Sequence, residues 1–279
     1  MRRTASLLTG LLLCLPAIVL CLPARAGAQF ATPADRQCIE AVNLGARKVA
    51  AAGSKQLRAC AGYSADGLLG PQSVADCAAA LVQTPITSAL LKSNQKCGGV
   101  PPSFGPPSLT APPGLAIAAG AAILTDLFGA TPEAALVDVS NVRVCQSAVL
   151  KEMGSCLDAR LSGFNRCKKE GLKRGFVRTN SELQDTCLGT GAQQPDPSGG
   201  AIAKRCLAHA GLVIESKCVA RGVALAPAFP GCNAASAAAL GTCFDERIRC
   251  RVCGMLNAVD GLARDCDVFD DGNGNASCS

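Results

Sequence analysis

Apolar and polar positions in this chain alternate with a helical rather than a strand period, and cysteines mark the register. Cys145, Cys156 and Cys167 stand 11 residues apart. Eleven residues turn an α-helix about 20° past three full turns, so all three line one stripe. Cys38 and Cys60, 22 residues apart, follow the same ruler, and Cys232, Cys243 and Cys250 repeat it with steps of 11 and 7. The residues between agree: Ala41 to Leu57 is rich in Ala, Lys and Arg, all good helix formers, interrupted by Gly45 and Gly53. A further apolar helix of about 14 residues is predicted over Leu115 to Phe128, short for a membrane span and suited to a buried core. Thr131-Pro132-Glu133 opens another helix, with Thr131 as cap and Pro132 at the first helical position. Val100 to Gly114 carries six prolines in fifteen residues, which predicts an extended linker. Gly189 to Gly200, with Pro195 and Pro197, is a second break. The fold class expected is all-α: disulfide-stapled helical hairpins, duplicated, ending in an irregular Cys-rich tail.

The N-terminus has a different pattern. Arg2 and Arg3 precede an almost wholly apolar run, Leu7 to Leu22, and small residues follow at Ala24, Ala26 and Ala28. This order predicts a secretory signal over residues 1–28, cleaved after Ala26 or Ala28. The run is shorter than a spanning helix needs and contains Pro16. Cys14 and Cys21 each follow Leu, which argues against a lipid anchor.

Export changes the meaning of the cysteines. The chain has 18, and two would leave with the signal. The sixteen left predict a disulfide framework in an oxidising compartment. Metal binding is the competing use, and with one histidine, His209, any zinc site would be nearly all-Cys.

An internal repeat sharpens the pairing. Cys38-Ile-Glu-Ala-Val aligns with Cys145-Gln-Ser-Ala-Val, and Cys60 then falls on Cys167. Cys77 and Cys97 correspond roughly to Cys187 and Cys206. Paired positions in an antiparallel hairpin have a near-constant sum of residue numbers. That rule favours Cys38–Cys97 with Cys60–Cys77, and Cys145–Cys206 with Cys167–Cys187, leaving Cys156–Cys218 as an extra pair. Pro85 is expected to break the helix that would otherwise put Cys77 and Cys97 on opposite sides. The organisation expected is a first hairpin over 29–99, a Pro-rich linker over 100–114, apolar helices over 115–143, a second hairpin over 144–223, and a Cys-rich C-terminal helix with an acidic tail over 224–279. The three cysteine blocks hold four, six and six, as locally closed sets require.

The C-terminal run Cys250-Arg-Val-Cys253, Leu256-Asn257-Ala258, Asp260-Gly261-Leu262, Asp265-Cys266-Asp267 and Phe269-Asp270-Asp271-Gly272 resembles uncharacterised exported Cys-rich helical-repeat proteins of deltaproteobacterial type. The resemblance covers about half the mature chain. It implies bacterial export, to the periplasm or cell exterior, and a helical Cys-rich fold. It implies no activity and transfers no functional residue.

Composition narrows the chemistry. Net charge is +6 and would fall to +3 without Arg2, Arg3 and Arg25, so no field for nucleic acid is implied. One Tyr and no Trp leave few platforms for base stacking. Cys250 and Cys253 form a CxxC pair and could serve a thiol–disulfide oxidoreductase, although no βαβ pattern surrounds them. Gly254 stands where haem attachment needs His. Asp267, Asp271, Asn273 and Asn275 offer alternating oxygens for calcium in a Gly-rich loop, without an EF-hand's sixth-position Gly or twelfth-position Glu. This is the one cofactor suggested, and it would suit a scaffold or adhesion module. Arg166, Lys168, Lys169, Lys173, Arg174 and Arg178 form a basic cluster, read as a solvated helix face. The partner expected is an unknown protein or envelope component, with no nucleic acid and no transmembrane segment after signal cleavage. The leading reading is a non-catalytic structural or interaction protein.

Overall fold

In the computed structural model, residues 31–191, 194–197, 199–269 and 278 are described; the signal segment 1–28 lies outside them. They fold into helices, with no strand among the described residues.

Two long helices form the frame. Helix α1 (Pro33–Ala65) opens with a reciprocal cap: Thr32 accepts the N–H of Asp35, and Asp35 accepts the N–H of Thr32. Its buried positions run Cys38, Val42, Ala46, Val49, Gly53, Leu57, Cys60, a three- and four-residue rhythm. Helix α6 (Ser140–Arg174) carries the second such row and ends on Gly175 in the left-handed region, φ 76°. The two helices pack against each other. Small residues let them approach: a Cβ on Gly154 would lie 2.9 Å from the Cβ of Ser54.

Helices α2 (Val74–Leu81) and α3 (Gln83–Cys97) return along α1, bent 52° at Val82. Pro85 has no N–H for the carbonyl of Leu81, and it occupies the first turn of α3, where that donor is not needed. The bend brings Cys97 to Cys38 and Cys77 to Cys60.

The Pro-rich stretch differs from an extended linker. Helix α4 (Ala111–Phe128) starts inside it, with Pro112 and Pro113 in its first turn. Upstream, Leu109 is buried against Cys38 and Val42. Gly105 donates its N–H to Asn180 Oδ1 at 2.8 Å, and Asn180 in turn donates to the carbonyl of Gly261 at 2.9 Å. The segment therefore seals one end of the bundle. Half of α4 is buried, against α1 and α10 (Ala237–Asp260). By length and composition alone α4 could cross a membrane.

After α4 comes α5 (Pro132–Ala135). Thr131 makes no side-chain cap there. Glu133 instead accepts the N–H of Val74 at 2.7 Å, at the start of α2. Beyond α6, the chain returns through α7 (Asn180–Leu183), two π-helical turns (Gln184–Leu188 and Ala203–His209), α8 (Ala210–Lys217) and α9 (Leu225–Ala228). Cys232 precedes α10, where Ser236 caps, so it is not on the ruler of Cys243 and Cys250. It folds back to bond Cys243.

Candidate functional site

All sixteen described cysteines are in disulfides. Cys38–Cys97, Cys60–Cys77 and Cys167–Cys187 join as the antiparallel rule expects. The other two pairs of the second block exchange partners: Cys145 bonds Cys218, and Cys156 bonds Cys206. The reason is geometric. Three cysteines on one stripe of α6 meet a chain returning in the opposite direction, so the partners occur in reverse order. The expected Cys145–Cys206 and Cys156–Cys218 would cross. Cys206 is not the counterpart of Cys97, because the second return path is longer and Cys218 takes the outer position.

The CxxC pair is split. Cys250 bonds Cys278 and Cys253 bonds Cys266. Cys250 and Cys253 are each 1% exposed on α10. Both face partners brought back by the C-terminal segment, which leaves no Cys250–Cys253 bridge for thioredoxin-type exchange. Cys156, Cys206 and Asp245 cluster closely enough to suggest a metal site. The two sulfurs are bonded to each other, however, and a disulfide offers no thiolate ligand.

Of the proposed calcium residues, Asp271, Asn273 and Asn275 lie outside the described residues. Asp267 Oδ1 accepts the N–H of Cys278 at 2.9 Å and so closes the loop bounded by Cys266 and Cys278.

The basic cluster comes apart, and its centre corrects the reading of a solvated face. Lys169 pairs with Glu40, Arg174 with Glu170, and Arg178 with Glu182, all at the surface. Lys168 is buried. Its Nζ donates to Asp260 and, at 2.8 Å, to Asn43 Oδ1. Asn43 Nδ2 closes the triangle by donating to Asp260 Oδ2 at 2.9 Å. The triad locks α1, α6 and α10. Burial pushes the Lys168 ammonium below the ordinary lysine range, opposed by Asp260.

A second buried ion pair lies on the same two helices. Arg160 of α6 donates to Asp245 of α10, which Arg249 also approaches at 3.1 Å. Burial lowers the Arg160 guanidinium from its ordinary value, opposed by Asp245. A further buried carboxylate, Glu152, meets His209 Nδ1 at 2.7 Å. The sole histidine, half exposed, thus pairs with a carboxylate of α6.

Arg160, Asp245 and Glu152 were not singled out from sequence, yet α6 carried a signal for one. Cys145, Val149, Met153, Cys156, Arg160, Phe164 and Cys167 form one three- and four-residue row. Arg160 stands on the cysteine stripe and is therefore marked for burial. Beside the Lys168 triad, α1 and α6 leave a cavity of about 260 Å³, lined by Ile39, Leu44, Arg47, Asn165 and Arg166 among others. Arg47 there makes a two-point pair with Asp158 at 2.7 and 2.8 Å.

Comparison with known proteins gave no match: no family model, no curated protein and no solved structure is significantly similar to the chain.

Proposed function

We infer that this is an exported, non-catalytic structural or interaction protein, working in the periplasm or at the exterior of a bacterial cell. One observation carries the reading: every described cysteine is spent in a disulfide, the CxxC cysteines included. Disulfides on this scale belong to oxidising, extracytoplasmic compartments. The buried charges are likewise consumed internally, by Lys168–Asp260 and Arg160–Asp245. Export rests on the N-terminal pattern of residues 1–28, and bacterial origin on the resemblance of the C-terminal run. The repeated Cys-Xaa-Xaa-Ala-Val starts at Cys38 and Cys145 support descent of the two hairpins from one unit.

The reading is tested on the native oxidised protein by alkylation and by an insulin-reduction assay with dithiothreitol. The expected result is no alkylation before reduction, even in denaturant, and no acceleration of insulin reduction. Rapid alkylation confined to Cys250 and Cys253 after mild reduction, with catalysed insulin reduction, would replace it with a thiol–disulfide oxidoreductase.

A further inference from the structure

The antiparallel pair α1 and α6 leaves a furrow along one face, made of three successive clefts. The cavity beside Lys168 is the first. The second, about 290 Å³, is lined by Ser54, Lys55, Arg58, Lys151 and Ser155 among others. The third, about 110 Å³, shares Arg58 and adds Arg143. From Glu40 to Asp66 the furrow follows α1 for about 39 Å.

Its charge is one-sided. No Asp or Glu occurs between Glu40 and Asp66, nor between Asp76 and Asp126, while Arg47, Lys48, Lys55, Arg58, Lys92 and Lys96 fall within those spans. The carboxylates lining the clefts are already engaged: Glu40 with Lys169, and Asp158 with Arg47. Asp66, at the far end, is held by Arg143. Lys55, Arg58 and Lys151 in the central cleft, and Arg166 in the first, have no carboxylate partner among the described residues. Four uncompensated cations therefore stand along one groove of a protein whose mature charge is only about +3.

We propose that the α1–α6 furrow binds a linear acidic polysaccharide, with Lys55, Arg58 and Lys151 gripping its anionic groups in the central cleft. The extended row of clefts suits a chain rather than a single ion. No aromatic side chain lines any of them, which withholds the stacking platforms that single-stranded nucleic acid uses. The inference deepens the interaction reading and rests on it. Its failure would leave the oxidised scaffold standing, because thiol alkylation tests that separately.

The experiment measures binding of the oxidised protein to a defined heparin oligosaccharide over a range of salt. Three forms are compared: wild type, Lys55→Ala/Arg58→Ala/Lys151→Ala, and a charge-matched control, Lys204→Ala/Arg205→Ala/Lys217→Ala. Helical circular dichroism and melting confirm that each is folded, and Lys55→Arg/Lys151→Arg preserves charge at the site. Binding should weaken as salt rises, fall more than about tenfold in the furrow variant, and change less than about twofold in the control. The charge-preserving variant should keep wild-type affinity. No wild-type binding at low salt, or equal loss in both triple variants, would overturn the proposal. So would displacement of heparin by millimolar inorganic phosphate, which would mean a single-ion site, or tighter binding of single-stranded DNA of equal charge.

Discussion

At the scale of the residue, the buried ion pairs make the sharpest predictions. A buried pair contributes little over well-packed apolar residues, but removing one partner strands a charge. Asp260→Ala leaves Lys168 and Asn43 without their shared acceptor and should cost about 3–5 kcal/mol in urea unfolding. Lys168→Met/Asp260→Leu should recover much of that loss. A double variant no better than Asp260→Ala would show that the triad acts through packing rather than charge. Near the surface, Glu182 accepts the side chain and backbone N–H of Arg178. The Arg178 side chain is the main cause holding its carboxyl below the ordinary 4.5. A depressed carboxylate stabilises the fold above its unfolded pKa, and that contribution disappears as pH falls through the folded value. Screening at this exposed site makes the effect small. The check is therefore an NMR titration of Glu182, whose midpoint should lie below 4.5 and return toward it in Arg178→Ala.

The residue scale is also where sequence reading reached least far. Arg160 could be found from its row. Lys168 could not: it stands among five other cations of one run, and its partner Asp260 is 92 residues away. Side-chain pairing over that distance depends on how α6 and α10 cross, and no local period encodes a crossing.

At the scale of the element, glycine spacing and bridge order decide the packing. A Cβ on Gly231 would meet the backbone carbonyl oxygen of Asp126 at 2.2 Å, whereas one on Gly62 within α1 meets nothing within 4 Å. Gly231→Ala should therefore destabilise by about 1–3 kcal/mol. Gly62→Ala should be neutral or stabilising by up to about 1 kcal/mol, because alanine is the better helix former. Thermal melting separates the two, and equal effects would contradict the packing at Gly231. Among the bridges, Cys60–Cys77 closes 17 residues and Cys145–Cys218 closes 73. Chain entropy makes removal of the first cost about 3 kcal/mol and of the second about 4–5. Double Cys→Ala variants unfolded by denaturant check the order. The long helices and the first hairpin's bridges were legible because spacing along one helix fixes which cysteines share a stripe. The second hairpin was half legible: its return path contains π-helical turns and an irregular break, so the register had to be fixed by reverse order rather than by analogy with the first.

At the scale of the whole molecule, the all-α disulfide-stapled fold was legible from helical spacing and an even cysteine count. The candidate furrow was not. Its cations are scattered over α1 and α6, and what unites them is the antiparallel contact at Ser54 and Gly154. The place of the Pro-rich segment was not legible for a similar reason: six prolines describe an extended backbone, but not the surface it lies on. The bundle is held by eight cross-links confined to three sequence blocks, so each block is stapled to itself while buried side chains join the blocks. These cross-links are structural and complete among the described residues. Peptide mapping of the unreduced protein, with its intact mass, checks this. The expected mass is about 16 Da below the reduced form, with Cys145–Cys218, Cys156–Cys206, Cys250–Cys278 and Cys253–Cys266 among the linked peptides. A Cys250–Cys253 bridge, or free thiols at those two positions, would contradict it.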